Sequence, residues 1–551
     1  MHRNRVHELL RSAPYILAAA GVSALAIYGA IRSNRTNLIV SFEDDAYYYL
    51  EIAYRVAMGE GSTFDGISRT NGYHPLWLLL LTPIYVVVRD KYFALIVVKV
   101  LSAISWSLAV LGVYKIATLL NARVLFLPSL LLLLYTRDFW FSGMETTALL
   151  TLLVWLIVPT LKIMRGDAQP ATFGLAGVLL ALVLLSRLDS VFFAVPYVAT
   201  VLWRSELTSI KTRSTNFFAL AFPSVALLSA YILSNAIFFD RFAPISVQAK
   251  SFGERFSNFD VFTQYLAYRP VTAPLLRHLD MKYYLLILIV PAFLLPRILV
   301  RINKRSSAMR TVADLQRVLL VVMTANLLQL TYYAVASTWP LWRWYHYYTP
   351  LALLFAAVIV SAAAVDSSPH GQRIASKAPA VFVLLILVVL TRNLLYIQPE
   401  YRGASNYKSE SVKVAQFLNG NTRADGVFAM GDRAGSLGYQ LDRALIQTEG
   451  LVNSNEYLKS LVEGRVNEFL KAKGLDYIVY SSGELSGGNP EPVRLEDPER
   501  PCRRIREPKV GSGPKLEIVV CDDDVIYDAH LEAGESTGER YTVWKYRAEL
   551  N

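Results

Sequence analysis

Two adjacent carboxylates, Asp44 and Asp45, follow Glu43 at the start of an acidic and aromatic stretch, EDDAYYYLEIAYRVAMGEGSTFDGISRTNGYHPLW at 43–77. The stretch lies between an apolar segment at 14–31 and a long series of further apolar segments. Paired carboxylates beside a membrane span are costly unless they meet cations, a metal ion or water, so they indicate a functional site. The alternative is that one of them caps the helix that follows.

The residues after the carboxylate pair predict an amphipathic helix. Its apolar positions share one face, whereas Glu51 and Arg55 lie on another. Gly59 and Gly61 end the pattern, as glycine commonly does just past a helix. This mixture of aromatic and polar residues is typical of a helix in the headgroup layer of a membrane.

Composition places the chain among membrane proteins. Of its 551 residues, 54% are hydrophobic and 18% are charged, and its long apolar runs are too many for one soluble core. The predicted fold is mainly α, a polytopic membrane helical bundle. The net charge of +11 comes from short Lys and Arg clusters between apolar runs rather than from one basic face. We therefore interpret the charge as a topology signal and expect no nucleic-acid partner.

The basic clusters also predict the orientation of the bundle. Arg3, Arg5 and Arg11 keep the N-terminus cytoplasmic, so the acidic stretch faces the outside. The apolar piece at 75–88, about 14 residues, is short for a span of about 20 and is expected to be interfacial or re-entrant. Omitting it leaves every basic cluster inside. About eleven spans follow, near residues 14–31, 93–114, 123–136, 146–163, 172–186, 190–203, 216–238, 282–300, 312–334, 349–364 and 378–394.

A soluble α/β domain is predicted at 397–551, after the membrane part at 1–396. Its patterns favour helices at 411–418 and 456–473 and strands at 426–431 and 476–480. The segment GDRAGSLGY at 431–439 lacks phosphate-loop spacing, so a turn is favoured over a phosphate cradle. Cys502 and Cys521 lie in this domain and either form a disulfide or remain unlinked thiols.

On this topology, many ionisable and aromatic residues belong to outer segments and are expected to converge on one cavity. They are Glu43, Asp44, Asp45, His74, Arg137, Asp138, Glu145, Lys250, His278, Arg343, Tyr345, His346, Tyr347 and Tyr348. The alternative for the aromatic segment at 342–348 is an interfacial belt. His74 and His278 do not form a metal motif by spacing, and an isolated histidine is more often structural.

Arg187 and Asp189 interrupt the otherwise apolar run LLSRLDSVFF. An unpaired charge in such a run costs several kcal/mol, so the two residues are candidates for a functional site. The alternative is a mutual salt bridge that stabilises a short turn. HExxH, CxxC and nucleophile-elbow motifs are absent from the sequence, which gives no support to a soluble hydrolase or metalloprotease.

The acidic stretch resembles the first external loop of GT-C glycosyltransferases, and most of all the bacterial arabinofuranosyltransferase-like branch. The shared features are the DDAY helix start, the G-x-G turn at 59–61 and GYHPLW at 72–77. Further similar segments are SGMET at 142–146, PISVQAK at 244–250 and GYQLDRALIQTEGLVNS at 438–454. The chain departs from the family where relatives have Arg-Pro-Glu and Pro-Asn-Thr, since it carries Arg187-Leu188-Asp189 and Pro244-Ile245-Ser246.

The resemblance implies a transferase that moves a sugar, with arabinofuranose as a candidate, from a polyprenyl-phosphate donor to a glycan, lipid or protein acceptor. It implies a multi-pass protein of the bacterial inner membrane, with the active site and the C-terminal domain on the periplasmic side. It marks Asp44 as the general base, while Asp45 orients the acceptor or helps to hold a divalent metal ion. The implied substrate-binding residues are His74, Glu145, Arg187, Asp189, Lys250, Arg343, Tyr345 and His346.

Within this set, Arg187, Lys250 and Arg343 are the candidate cations for the donor phosphate. Two other function classes stay open, a lipid or glycan transporter and a noncatalytic membrane scaffold. A transporter predicts polar groups at mid-bilayer depth and paired half-repeats. The ionisable groups here cluster towards one face, and no internal repeat is evident.

Overall fold

The structure is a computed structural model, and it describes most of the chain with several gaps. The described ranges are 16–17, 20–120, 139–204, 210–251, 258–270, 278–302, 308–366, 407–481, 491–493, 501–507, 516–531 and 539–550.

The first part of the chain is helical. Several helices begin at side-chain caps or at proline: Asn34 caps α2, Asp90 caps α5, and Pro75 and Pro170 are the first residues of α4 and α7. The helices are α1 Ala20–Arg32, α2 Arg35–Val40, α3 Asp44–Ala57, α4 Pro75–Val87, α5 Lys91–Leu119, α6 Thr146–Met164, α7 Pro170–Ser186, α8 Val191–Arg204, α9 Ile210–Phe239, α10 Ile245–Ala249, α11 Asp260–Ala267, α12 Met281–Tyr284, α13 Val290–Ile302, α14 Ala308–Ala336 and α15 Tyr348–Asp366.

Four helices in the described ranges are long and apolar enough to cross a membrane, namely Lys91–Leu119, Thr146–Met164, Ile210–Phe239 and Val312–Ala336. They confirm as helices the spans predicted near 93–114, 146–163, 216–238 and 312–334. The spans predicted at 123–136 and 378–394 lie outside the described residues. The total of about eleven spans therefore stays a prediction.

Several other predicted spans are shorter apolar helices. Those near 172–186 and 190–203 are α7 and α8, separated by a 3-10 turn at Leu188–Ser190. The span predicted near 282–300 is α12 and α13, joined by a π-helical segment at Leu285–Ile289. The segment predicted as interfacial or re-entrant is the 13-residue helix α4.

The C-terminal part is an α/β structure, as predicted. It contains α16 Tyr407–Asn421, α17 Ala434–Gln440, α18 Asn455–Val462, α19 Val466–Ala472, β1 Val427–Met430, β2 Ala444–Gln447, β3 Tyr477–Ser481, β4 Glu491–Val493, β5 Cys502–Glu507, β6 Leu516–Cys521, β7 Val525–Leu531 and β8 Glu539–Lys545. One sheet has the order β2-β1-β3-β8-β7, with β1 parallel to β2 and β3. A smaller antiparallel sheet has the order β4-β5-β6.

Two details of this part differ from the sequence prediction. The single helix expected at 456–473 is two helices, α18 and α19, because Gly464 between them adopts a left-handed φ of 69°. Residues 434–439 of GDRAGSLGY belong to the helix α17, Ala434–Gln440, rather than to a turn. Cys502 and Cys521 oppose each other on β5 and β6 and form the predicted disulfide.

The sheet part packs directly on helices α3 and α4 of the helical part. The hydroxyls of Tyr85 and Tyr439 lie 2.8 Å apart, and one apolar core runs from Tyr47 and Trp77 into the large sheet. Gly438 permits the close approach, since a Cβ there would lie 2.4 Å from the ring of Phe64. The proposed domain boundary at 396 lies outside the described residues.

Candidate active site

The loop that carries the carboxylate pair is held by two buried lysines. Lys99 donates from Nζ to the carbonyl oxygens of Ser41, at 3.0 Å, and Phe141, at 2.5 Å. Lys408, from the first turn of α16, donates to the carbonyl of Phe42 at 2.5 Å. A buried ammonium group that donates to backbone carbonyl oxygens fixes the path of the backbone that carries them. The backbone just before the carboxylate pair is therefore fixed by one lysine of the helical part and one lysine of the C-terminal part.

Asp44 is buried, and both oxygens of its carboxylate accept hydrogen bonds from the C-terminal part. The backbone N–H groups of Gly435 and Ser436 each donate at 2.9 Å. Burial raises the pKa of Asp44, while these hydrogen bonds and Lys408 oppose the rise. Gly435 leaves the space for the contact, because a Cβ there would lie 2.2 Å from the Asp44 carbonyl oxygen.

The capping alternative is thus realised in an unexpected way. Helix α3 begins after Glu43, and no side chain caps it. Asp44 instead accepts hydrogen bonds from backbone N–H groups at the start of α17. These donors belong to GDRAGSLGY, the segment whose sequence favours a turn over a phosphate cradle. The anion that this segment holds is a carboxylate of the same chain.

Asp45 has a different environment from Asp44. Its side chain is partly exposed, and it accepts no hydrogen bond from any residue in the described ranges. Burial raises its pKa to about 7, Lys250 opposes the rise, and the carboxylates of Asp44, Asp432 and Glu43 add to it. Asp45 is therefore a carboxylate that exchanges its proton near neutral pH.

Lys250 follows the short helix α10 and is the cation whose charge acts on Asp45. Its Nζ donates to the phenol oxygen of Tyr345 and lies 5.1 Å from the centroid of that ring. Its backbone carbonyl accepts from Thr338 at 3.2 Å, which ties it to the segment that carries Tyr345. The positive charge of Lys250 lowers the pKa of Asp45, and the negative charge of Asp45 raises the pKa of Lys250.

A buried ionic cluster supports this pair. Arg187 donates to Glu145 at 2.5 Å and, through two nitrogens, to Asp189 at 3.0 and 3.2 Å. Asp189 also accepts from Gln329 and Tyr333, each at 3.0 Å. The mutual salt bridge of Arg187 and Asp189 is confirmed, with Glu145 as a second acidic partner.

Aromatic rings join this cluster to Lys250. The guanidinium carbon of Arg187 lies 4.8 Å from the ring centroid of Tyr345 and 4.9 Å from that of Tyr347. Tyr345, Tyr347 and Tyr348 are buried in the helical part. The interfacial-belt alternative is therefore wrong for these three tyrosines.

His74 borders the cluster as a neutral imidazole. The backbone N–H of Leu188 points at its Nδ1 from 3.4 Å. Burial lowers the pKa of His74 to about 4, with Arg187 also lowering it and Glu145 opposing. His74 is thus a hydrogen-bond acceptor beside the charged groups rather than a cation.

Two predicted residues occupy other surroundings. Arg343 is half-exposed and donates to the carboxylate of Glu43, at the edge of the acidic loop. His346 is buried beside Tyr265 and Tyr268, with ring centroids 5.4 and 4.5 Å away, and burial lowers its pKa to about 4. Among the other outer-segment residues, His278 is exposed, and Arg137 and Asp138 lie outside the described residues.

A divalent metal ion does not fit the side chains gathered around Asp45. Asp44 already accepts two hydrogen bonds, and Glu43 is paired with Arg343. Throughout the described ranges, no group of three His, Cys, Asp or Glu side chains is arranged to hold a metal. We therefore derive no chemical step through a metal ion.

Sequence reasoning missed several residues that build the site. Lys99 carried a signal, because a lysine inside a long apolar helix indicates a function or a buried partner. Gln329 and Tyr333 lie on one face of α14 but show no pattern that points to Asp189. Gly435 and Ser436 belong to the Gly-rich segment GDRAGSLGY, but residue spacing does not indicate that their hydrogen-bond partner is Asp44.

Comparison with known proteins gives similarity only at the level of structure. No family model matches this chain, and no curated protein matches it. The archaeal oligosaccharyltransferase AglB from Archaeoglobus fulgidus, in complex with an inhibitory peptide and a dolichol-phosphate, aligns with a TM-score of 0.47 and 12% identity, covering 86% of this chain and 69% of that chain. The same oligosaccharyltransferase in complex with Zn and sulfate aligns with a TM-score of 0.47 and 13% identity, covering 85% and 67%.

ArnT from Cupriavidus metallidurans, bound to undecaprenyl phosphate, aligns with a TM-score of 0.44 and 14% identity, covering 84% of this chain and 93% of that chain. At these TM-scores and identities, neither similarity assigns the chain to a family. The function is therefore argued from the residues of the site.

Proposed function

We propose that this protein is an inverting glycosyltransferase of the GT-C type that uses a polyprenyl-phosphate sugar as donor. The observation that carries the proposal is Asp45, a partly exposed carboxylate with a pKa of about 7 that lies within the electrostatic influence of Lys250, in a chain with long apolar helices. A base poised near neutral pH is suited to take a proton from a hydroxyl group. A cation near it is suited to a phosphate leaving group.

The reaction is a displacement at the anomeric carbon. An acceptor hydroxyl oxygen forms a bond to that carbon as the bond to the donor phosphate oxygen breaks, and the lipid phosphate leaves with the electron pair. Asp45 takes the hydroxyl proton. Because the attack comes from the face opposite the leaving group, the configuration of the carbon inverts. A positioned base of this kind contributes about 10² to 10⁴ in rate.

The resemblance marked Asp44 as the base, and two observations support Asp45 in that role instead. Both oxygens of Asp44 already accept backbone hydrogen bonds, so protonating it would break contacts between the two parts of the protein. Asp45 has no hydrogen-bond donor among the described residues, and its side chain is partly exposed. Asp44 is then a positioning residue that fixes the first turn of α3.

Lys250 and Arg343 are the proposed cations for the donor phosphate. Lys250 is held by a neutral phenol, so its charge is available for an anion. Arg343 is half-exposed and donates to the carboxylate of Glu43 at the edge of the acidic loop. Arg187 differs from both, since two buried carboxylates already neutralise it. Its proposed role is to orient the ring of Tyr345 and, through it, Lys250.

The location proposed for this chemistry is the outer face of a bacterial inner membrane. Apolar helices, above all α9 with its largely exposed surface, suit a bilayer in which the prenyl chain of the donor dissolves. Arabinofuranose is the proposed sugar because the acidic loop resembles that branch of transferases. The acceptor class, a glycan, a lipid or a protein, follows from the same resemblance.

The test is sugar transfer by the purified full chain in lipid nanodiscs. Radiolabelled arabinofuranosyl polyprenyl phosphate is supplied with a cell-envelope extract, and product formation is compared for wild type, Asp45→Asn and Asp260→Asn. Asp260 is an exposed acid in the first turn of α11, so its variant is the matched control. Asp45→Asn should lose a factor of about 10² or more. Wild-type rates in a folded Asp45→Asn variant would refute the role of Asp45.

A further inference from the structure

A second cavity lies on the far part of helix α3, between the helical part and the C-terminal part. Its volume is about 710 Å³, within the range of about 300 to 1,000 Å³ typical of ligand pockets. Arg55 of α3 lines it, ten residues after Asp45, which is a rise of about 15 Å along the helix. Neither Asp45 nor Lys250 lines this cavity.

The acidic groups of this cavity all have partners. Glu51 is fully buried and pairs with Arg55 at 2.8 Å and Lys91 at 2.5 Å. Glu60 pairs with Arg55 at 2.7 Å. The other two acids use a carboxylate oxygen for local contacts, since Asp90 caps α5 and Asp442 accepts from Asn419.

Two arginines of the cavity, by contrast, have no partner among the residues that the structure describes. Arg35 at the start of α2 and Arg89 between α4 and α5 are exposed, and they make neither an ion pair nor a side-chain hydrogen bond there. Each guanidinium offers a planar fork of donors that matches a carboxylate or a phosphate. The four cations and four acids of the lining balance in number. Arg35 and Arg89 are the two cations among them that are left to pair with an anion on a ligand.

The remaining lining suits hydroxyl groups and sugar rings. The partly exposed side chains of Tyr54 and Tyr92 provide aromatic rings, with Lys91 Nζ 4.5 Å from the ring centroid of Tyr54, and the exposed Gln416 provides an amide. Gln440 is buried, and its Oε1 has no hydrogen-bond donor in the described ranges. A pocket with a few polar groups among aromatic faces selects ligands by hydrogen-bond pattern.

We propose that this cavity binds an anionic saccharide, a sugar chain that carries carboxylate or phosphate groups, free or attached to a lipid. Arg35 and Arg89 bind the anionic groups, and Tyr54 and Tyr92 contact the sugar rings. Binding does not depend on the proposed transferase activity. If that activity is also correct, the cavity holds the distal part of a charged acceptor while its reacting end extends along α3 to Asp45.

The experiment measures binding of fluorescent trigalacturonate to the full chain in phosphatidylcholine nanodiscs, with unlabelled glucose 6-phosphate as a competitor. The neutral comparison is maltotriose with the same label. The test variant is Arg35→Gln/Arg89→Gln, and the control is Arg213→Gln, an exposed arginine of α9 that does not line the cavity. The double variant should bind trigalacturonate at least about tenfold more weakly, since a single charge-assisted contact contributes about that factor or more.

Folding of every variant is checked by its thermal transition. Binding that survives in Asp45→Asn separates this inference from the proposed function. Equal affinity for trigalacturonate and maltotriose, or an unchanged constant in the double variant, would overturn the inference. So would a lack of binding by both trigalacturonate and glucose 6-phosphate. Displacement of the probe by nanodiscs that contain phosphatidylglycerol would assign the arginines to lipid headgroups and overturn it as well.

Discussion

Replacing Lys250 with methionine should shift the pH dependence of sugar transfer to higher pH. Burial and three neighbouring carboxylates raise the pKa of Asp45, and Lys250 is the cation that holds it down to about 7. Without that cation, Asp45 keeps its proton to a higher pH. The deprotonated form, which is the active base, then appears only in more alkaline solution.

The size of the shift follows from the surroundings of the pair. An opposite charge within about 4 to 6 Å moves a carboxyl pKa by about 1 to 3 units, and partial exposure of Asp45 favours the lower end. We therefore expect the acidic limb of kcat/KM to move from about pH 7 to about pH 8. The midpoint of this limb reports the pKa of the base in the free enzyme. Weaker donor binding by the variant lowers the height of the curve but does not move the midpoint.

The assay is transfer from a labelled polyprenyl-phosphate sugar between about pH 5 and about pH 9.5, with kcat/KM fitted to a single ionisation. Lys282→Met is the matched control, because Lys282 is half-exposed and pairs with Asp280 outside the site. Its limb should coincide with that of the wild type. An unchanged midpoint in Lys250→Met, or a midpoint at lower pH, would refute the pairing of Lys250 with Asp45.

Three further predictions test the scaffold of the site. Gly435→Ala should lower both the thermal midpoint and the rate of sugar transfer, because the new Cβ would lie 2.2 Å from the Asp44 carbonyl oxygen. The control is Gly420→Ala, which should change neither, because its Cβ would meet no atom within 4 Å. Arg187→Met should destabilise the protein by about 3 to 5 kcal/mol because it leaves Glu145 and Asp189 buried without a cation, and unchanged thermal unfolding would contradict this. A tag inserted at 253–260 and a reporter inserted near Arg305 should lie on opposite sides of the membrane, and finding both on one side would refute the predicted topology.

Much of the fold was predictable because it depends on local pattern. Long apolar runs fix helices such as Lys91–Leu119, and short continuous apolar runs between glycines fix strands such as Val427–Met430. The break at Gly464 was not predicted, because an apolar pattern continues across it while the glycine changes only the backbone path. The helix Ala434–Gln440 was missed for a related reason, since three glycines and a serine in and around it suggest a turn.

The contacts of the site were only partly predictable. Arg187 and Asp189 are two residues apart, so their ion pair could be weighed from the sequence. Arg343 and Glu43 are 300 residues apart, and Asp44 and Gly435 are 391 apart. Residue spacing carries no information about such pairings. The sequence showed that charged groups must find partners but not which partners they find.

The pairing of Asp44 with Gly435 changes how the C-terminal part is understood. A buried carboxylate without donors is destabilising, and the donors that satisfy Asp44 come from a segment that begins the helix Ala434–Gln440. Asp45 is the next residue on the same helical turn as Asp44, so its direction depends on that contact. The C-terminal part is therefore a structural component of the proposed active site, rather than an appended binding module.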